Sequence, residues 1–140
     1  MISKLSHCSI FVKDQAKALD FYVNKLGLKV HTDMAMGETM RWITLTTPAD
    51  PEQEFVLLGI PDAGMMGWDE ESIKAITLLL DKQLLGAGVF YTPDCKKTYE
   101  ELKQKGVDIT EPEEKFYGSE CIMRDGCGNW FSVCTPKEGF

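Results

Sequence analysis

Two stretches of this chain repeat one pattern, and the repeat limits the fold more than any other feature. The first runs His7-Cys8-Ser9-Ile10-Phe11-Val12-Lys13-Asp14 into a helical pattern that stops at Gly27. The second runs Ala87-Gly88-Val89-Phe90-Tyr91-Thr92-Pro93-Asp94 into another that stops at Gly106. Each reads as an alternating strand, an acidic helix cap, an amphipathic helix, a glycine stop and a new strand. Asp14 and Asp94 stand 80 residues apart in a chain of 140. A repeat longer than half the chain signals a duplicated half-domain and not a stack of short solenoid units. In this alignment His7 falls opposite Ala87.

Within the first strand, Cys8, Ile10 and Val12 share one face, which is apolar and should pack against a helix. Leu5, His7, Ser9 and Phe11 share the other, which should face a cavity or solvent. Behind the Asp14 cap, Ala18, Leu19, Tyr22, Val23 and Leu26 recur at helical spacing. A second strand begins at 28–30, and residues 32–39 read as a loop. A third strand covers 41–46, a turn passes through Pro48, Asp50 and Pro51, and a fourth strand covers 54–58. Residues 62–69 form a loop carrying Gly64-Met65-Met66-Gly67-Trp68 that suits a pocket lid or a plain surface connection. Residues 70–82 predict a helix, with a strand through 76–80 as the alternative.

The second half repeats the plan, with a strand at 84–92, a helix at 94–105 and further strands at 107–109, 118–123 and 130–134. The turn Asp125-Gly126-Cys127-Gly128-Asn129 before the last strand is built of residues that tolerate positive φ. Glu111, Glu113 and Glu114 read as a solvated loop. The expected architecture is α+β, one domain of two βαβββ modules. Module one covers about 4–60, a connecting segment about 61–82 and module two about 83–136.

A net charge of -7 argues against nucleic acid and against an anionic membrane surface. No apolar run approaches the roughly 18 residues of a membrane span, and Met1 leads directly into the first strand, so a cytoplasmic protein without a signal sequence is expected. The five cysteines, Cys8, Cys95, Cys121, Cys127 and Cys134, show no C-x-x-C spacing, which disfavours a thiolate metal site and suits reduced thiols. Cys95 follows the cap Asp94, at a helix N-terminus whose dipole favours negative charge, while Asp94 itself opposes it.

Phe11-Val12-Lys13-Asp14, Ala18-Leu19-Asp20-Phe21-Tyr22 and Lys25-Leu26-Gly27-Leu28 together resemble the vicinal oxygen chelate superfamily, the glyoxalase, bleomycin-resistance and extradiol-dioxygenase group. Tyr99-Glu100-Glu101-Leu102-Lys103-Gln104-Lys105-Gly106-Val107 and the Asp125–Asn129 turn resemble the family's second helix and last turn. The resemblance implies a cup-shaped mixed sheet with helices on its convex face. In metalloenzymes of this group, each module supplies one ligand from its first strand and one from its last. Those positions fall here on His7, on one of Val56, Leu57 or Leu58, on Ala87 and on Ser132, so one strong donor of four remains. A single imidazole does not fix a coordination geometry.

The reading that follows is a protein that binds a small organic molecule in the sheet cup without a metal or other cofactor, as a homodimer. Trp42 and Trp130 would stack on the ligand, and His7 and Ser132 would orient it. The alternative is a metal-dependent lyase of the glyoxalase I kind, or a dioxygenase, using a rearranged site of His7, Glu54 and Glu120 on a divalent ion.

Overall fold

The two aspartates that anchor the repeat both cap helices. In the computed structural model, which describes residues 1–140, the Asp14 carboxylate accepts from the Lys17 N–H and the Asp94 carboxylate from the Lys97 N–H, each at 3.0 Å. Helix α1 (Gln15–Leu19) widens into a π-helical turn over Asp20–Lys25, and α3 runs Cys95–Gln104. Gly27 and Gly106 follow them at φ 77° and 78°, a backbone region closed to most side chains.

Strands β1 (His7–Val12), β2 (Lys29–Met36), β3 (Met40–Thr47) and β4 (Asp50–Gly59) form a four-stranded sheet in the order β1-β4-β3-β2. Strands β5 (Leu85–Tyr91), β6 (Asp108–Ile109), β8 (Gly118–Arg124) and β9 (Asn129–Pro136) follow the order β5-β9-β8-β6, with β7 (Glu113–Lys115) added on β8. Each sheet is mixed: β1 lies parallel to β4 and β5 parallel to β9, and the remaining pairs are antiparallel. The repeat is thus duplicated down to strand order. Between the halves, α2 (Glu70–Asp81) is a helix capped by Asp69, so the strand alternative at 76–80 is excluded.

Three boundaries differ from expectation. Most of the loop expected at 32–39 belongs to β2, which continues to Met36 and turns back at Gly37, φ 76°. Hydrogen bonding to β3 overrides the weak local signal there. Asp50 and Pro51 begin β4 and do not merely form a turn; β1 pairs with the far end of that strand, from Glu54 onward. The acidic run is partly a strand, since Glu113 and Glu114 pair with β8 while remaining exposed.

Helices α1 and α3 contribute to one continuous core. Ala18, Phe21 and Tyr22 join Ile10, Val12, Ile43, Leu45 and Leu57 of the first sheet. Leu102, Cys95, Cys121, Met123, Phe131 and Val133 extend the same cluster through the second. Ile10 and Val12 are buried as their pattern predicts, while Cys8, earlier on the same face, is exposed. The core side chains occupy one face of each sheet, leaving the alternate residues on the other.

The seam between modules is polar and fully bonded. Asp125 takes the Tyr22 hydroxyl at 2.6 Å, the Cys127 N–H at 2.7 Å, the Asn129 N–H at 3.0 Å and the Asn129 side-chain amide at 3.0 Å. That amide also donates to the Phe11 carbonyl at 2.9 Å, so the turn before β9 is tied to both β1 and α1. Burial, with the Asp125 carboxylate beside it, pushes the Tyr22 phenol far above its ordinary range. Gly128, at φ 106°, lies so close to α2 that a Cβ would sit 2.6 Å from the Leu80 Cα.

Tyr22→Phe removes one of four donors to Asp125 and should cost about 1 kcal/mol in urea denaturation. Asp125→Ala removes the acceptor of four hydrogen bonds, leaving only the Asn129 bond to the Phe11 carbonyl at the seam, and should cost about 3 kcal/mol or more. Equal losses for the two variants would contradict this account of the seam.

Candidate functional site

Strand register brings His7 directly opposite Glu54 across the parallel β1–β4 pair. His7 Nε2 lies 2.9 Å from Glu54 Oε2. The other oxygen, Oε1, accepts from the Thr44 hydroxyl at 2.7 Å and lies 2.9 Å from His31 Nδ1. His31 sits where the β2–β3 register shifts between Val30 and Thr32, an irregularity that re-aims a side chain. Both histidines of the chain therefore converge on one carboxylate. The Trp42 ring stands 6.5 Å from His7, tilted by 46°.

This cluster is partly sheltered: 14% of the Glu54 side chain is exposed, against 39% for His7 and 56% for His31. The Thr44 hydrogen bond, followed by the charges of His31 and His7, holds the Glu54 carboxyl below its ordinary range, with desolvation opposing. Ser6 Oγ meets His7 Nδ1 at 2.8 Å and Thr32 Oγ1 meets His31 Nδ1 at 2.9 Å, so neighbouring hydroxyls help to orient both rings.

A second polar group lies on the other sheet. The Ser132 hydroxyl donates to Glu120 Oε2 at 2.6 Å. Glu120 pushes the nearby Tyr117 phenol upward. Trp130, two residues before Ser132, is 36% exposed and packs over Gly86, where an added Cβ would meet the ring at 2.8 Å. Its indole N–H points to the Leu84 carbonyl at 3.4 Å.

The structure thus joins His7, Trp42 and Glu54 on the first sheet and places Trp130, Ser132 and Glu120 on the second. No hydrogen bond or ring contact connects the two sets within the chain. His31, one of just two histidines in the chain, lies outside the set expected from the sequence. The resemblance sets the last-strand position of module one at Val56, Leu57 or Leu58. Those residues pair with Ser9, Ile10 and Phe11, and the residue opposite His7 is Glu54. Phe11 carries the edge of the Trp68 ring at 5.4 Å, which seats the 62–69 loop at the end of β1. A cavity of about 520 Å³ lies away from both clusters, against the N-terminus of α3.

His7 and His31 are each engaged with one oxygen of Glu54, and Glu120 lies on the other sheet against Ser132. No group of three or more His, Cys, Asp or Glu side chains is arranged to hold a metal ion. The cluster groups a carboxylate, two imidazoles and an indole ring on one sheet.

Because the folded-state value of Glu54 is lowered, its contribution to stability is fully present above the ordinary carboxylate value of 4.5 and is lost as pH falls through the lowered value. Glu54→Gln should therefore flatten the acid limb of a melting-temperature profile taken from neutrality to about pH 3. Coincident acid limbs for the two proteins would exclude the ion-paired cluster.

The family model for the Glyoxalase/Bleomycin resistance protein/Dioxygenase superfamily matches residues 4–133. The uncharacterized protein YurT of Bacillus subtilis (strain 168) is 35% identical over 93% of this chain and 97% of its own. Among solved structures, UcmS2 matches with a TM-score of 0.86 and 40% identity, covering 96% of this chain and 98% of that one. TnmS3, an antibiotic binding protein from Streptomyces sp. CB03234, has the same fold, with a TM-score of 0.74 at 23% identity over 97% of this chain and 98% of that one. No helix is long and apolar enough to cross a membrane.

Proposed function

Since the chain belongs to the glyoxalase/bleomycin resistance protein/dioxygenase superfamily, we propose that it is a cytoplasmic small-molecule-binding protein that holds an organic ligand on the open sheet faces without a metal. The observation that carries this reading is the cluster across β1–β4, where the His7 and His31 imidazoles both meet Glu54 beside a half-buried Trp42. Such a surface binds by stacking and hydrogen bonding. Trp130 and Ser132 offer the matching aromatic and hydroxyl groups on the second sheet. The antibiotic binding protein of the same fold makes planar natural products a sensible first class to screen.

In this reading the protein works as a homodimer. Met34 and Met36 on edge strand β2, and Val89 and Tyr91 on edge strand β5, are exposed, and apolar edge strands favour pairing with another chain. Module one of one copy would then face module two of its partner and bring the two polar clusters around one ligand. Light scattering should give twice the 15.8 kDa chain mass.

Indole fluorescence titrations against a planar aromatic library test the binding. Trp42→Ala and Trp130→Ala should each weaken a hit about tenfold, roughly 1.4 kcal/mol. Elemental analysis of protein purified without chelator should show far less than one metal per chain. One metal per chain, with chelator-sensitive turnover of methylglyoxal and glutathione, would instead establish the lyase reading. The single observation on that side is the His7–Glu54 pair, a base and an acid 2.9 Å apart.

A further inference from the structure

Two of the five cysteines, distant in sequence, meet in the core. Cys95 is the first residue of α3 and Cys121 lies in the middle of β8. They are 3% and 0% exposed, and their sulfurs stand 3.1 Å apart. That is about 1 Å beyond a disulfide bond of ~2.05 Å. Cys121 Sγ also comes within 4.0 Å of the Cys95 carbonyl, and Cys95 Sγ meets the Val133 carbonyl at 3.4 Å, so both thiols are held in place by their surroundings.

The remaining thiols are less suited to pairing here. Cys8 is exposed on β1, and Cys127 lies in the turn before β9. Cys134 is buried nearby, but strand alternation turns it away. It pairs in register with Glu120, and Cys121 with Val133, so Cys134 and Cys121 occupy opposite faces of the second sheet. No arrangement of these cysteines with His, Asp or Glu could hold a metal ion, so the close approach is not a thiolate metal site.

One cavity reaches Cys95. The cavity of about 520 Å³ is lined by Pro93, Cys95, Tyr99, Glu111, Ser119 and Thr135, among others. Cys95 forms part of its wall and Cys121 lies behind Cys95. We propose that Cys95 and Cys121 form a reversible dithiol–disulfide pair, oxidised by a small peroxide that enters through this cavity. The proposal is independent of the ligand-binding reading.

The chemistry balances with hydrogen peroxide as the oxidant. The Cys95 sulfur attacks one peroxide oxygen, the O–O bond breaks, and the departing hydroxide takes the thiol proton to leave as water. The Cys121 sulfur then attacks the resulting sulfenic sulfur. The S–S bond forms, the S–O bond breaks, and the second hydroxide leaves as water with the Cys121 proton. Two thiols lose two electrons, and one peroxide gains them. Burial, with the Cys95 sulfur beside it, pushes the Cys121 thiol up to about 12, so the geometry of the 3.1 Å approach, not thiol acidity, favours the pairing. The new bond would tie the first turn of α3 to the centre of β8. Cys121 is adjacent to Glu120, which holds Ser132 on the opposite face.

The test is peptide mapping of the full-length reduced protein after a peroxide titration, digested without reductant, with near-ultraviolet circular dichroism confirming that the fold persists. The expected result is an intramolecular crosslink between the Cys95 and Cys121 peptides, with a loss of two hydrogens and full reversal by dithiothreitol. The oxidised protein should also melt at a higher temperature. Cys95→Ala and Cys121→Ala should each abolish the crosslink, whereas Cys8→Ser should leave it. Mapping of the unsubstituted protein decides the matter even where a core variant fails to fold. Oxidation confined to Cys8, a crosslink through Cys134 or Cys127, or no reaction of a folded protein would overturn the proposal.

Discussion

A buried carboxylate that accepts four hydrogen bonds joins the two halves of this molecule. Asp125 is 3% exposed, and its donors come from the π-helical turn after α1 in the first module and from its own turn in the second. Burying an ionised side chain is costly unless its oxygens are filled, and all four contacts fill them. The arrangement fixes more than a turn. Tyr22 reaches Asp125 from the widened part of α1 while its ring packs edge-on against Phe21, Phe55 and Phe131, so the polar seam and the aromatic core position each other. Asn129 carries the restraint to the Phe11 carbonyl in β1, the strand that also bears His7.

The same seam accounts for the close docking of α2. Gly128 belongs to the turn that Asp125 organises, and its missing side chain admits the Leu80 backbone. The Lys13–Asp81 ion pair lies beside this contact and links the end of α2 to the residue after β1. Being largely exposed, that pair adds little stability of its own. The steric fit at Gly128 is the stronger constraint, because neither neighbour there is a flexible side-chain end.

Much of this fold is legible in the sequence, and the reasons are local. Asp14, Asp94, Gly27 and Gly106 act through nearest-neighbour geometry, so the repeat announces both helices without tertiary information. The Asp125–Asn129 turn is equally visible. What the sequence hides is register. His7 and Glu54 lie 47 residues apart, and which β4 residue faces His7 depends on how the parallel pair slides, with a one-residue slip reversing every face. The family position falls at 56–58, while the register sets Glu54, the carboxylate of the alternative site, opposite His7. His31 is hidden for a related reason, since its aim depends on a bulge within a strand longer than local propensity indicates.

The two sheets repeat one topology and carry unlike chemistry at corresponding depths. On the first, two imidazoles meet the Glu54 carboxylate, one at each oxygen. On the second, Glu120 accepts a hydroxyl hydrogen from Ser132 and has no ion-pair partner. Opposite His7 in the repeat stands Ala87, which packs toward the core where the β5–β9 register shifts and can donate nothing. A symmetric chelate needs equivalent donors from both halves. Duplication preserved the backbone that would present them, while these side chains diverged toward one balanced and one open polar cluster. A ligand bound across both would therefore meet a different hydrogen-bonding environment at each end, and the asymmetry would fix its orientation.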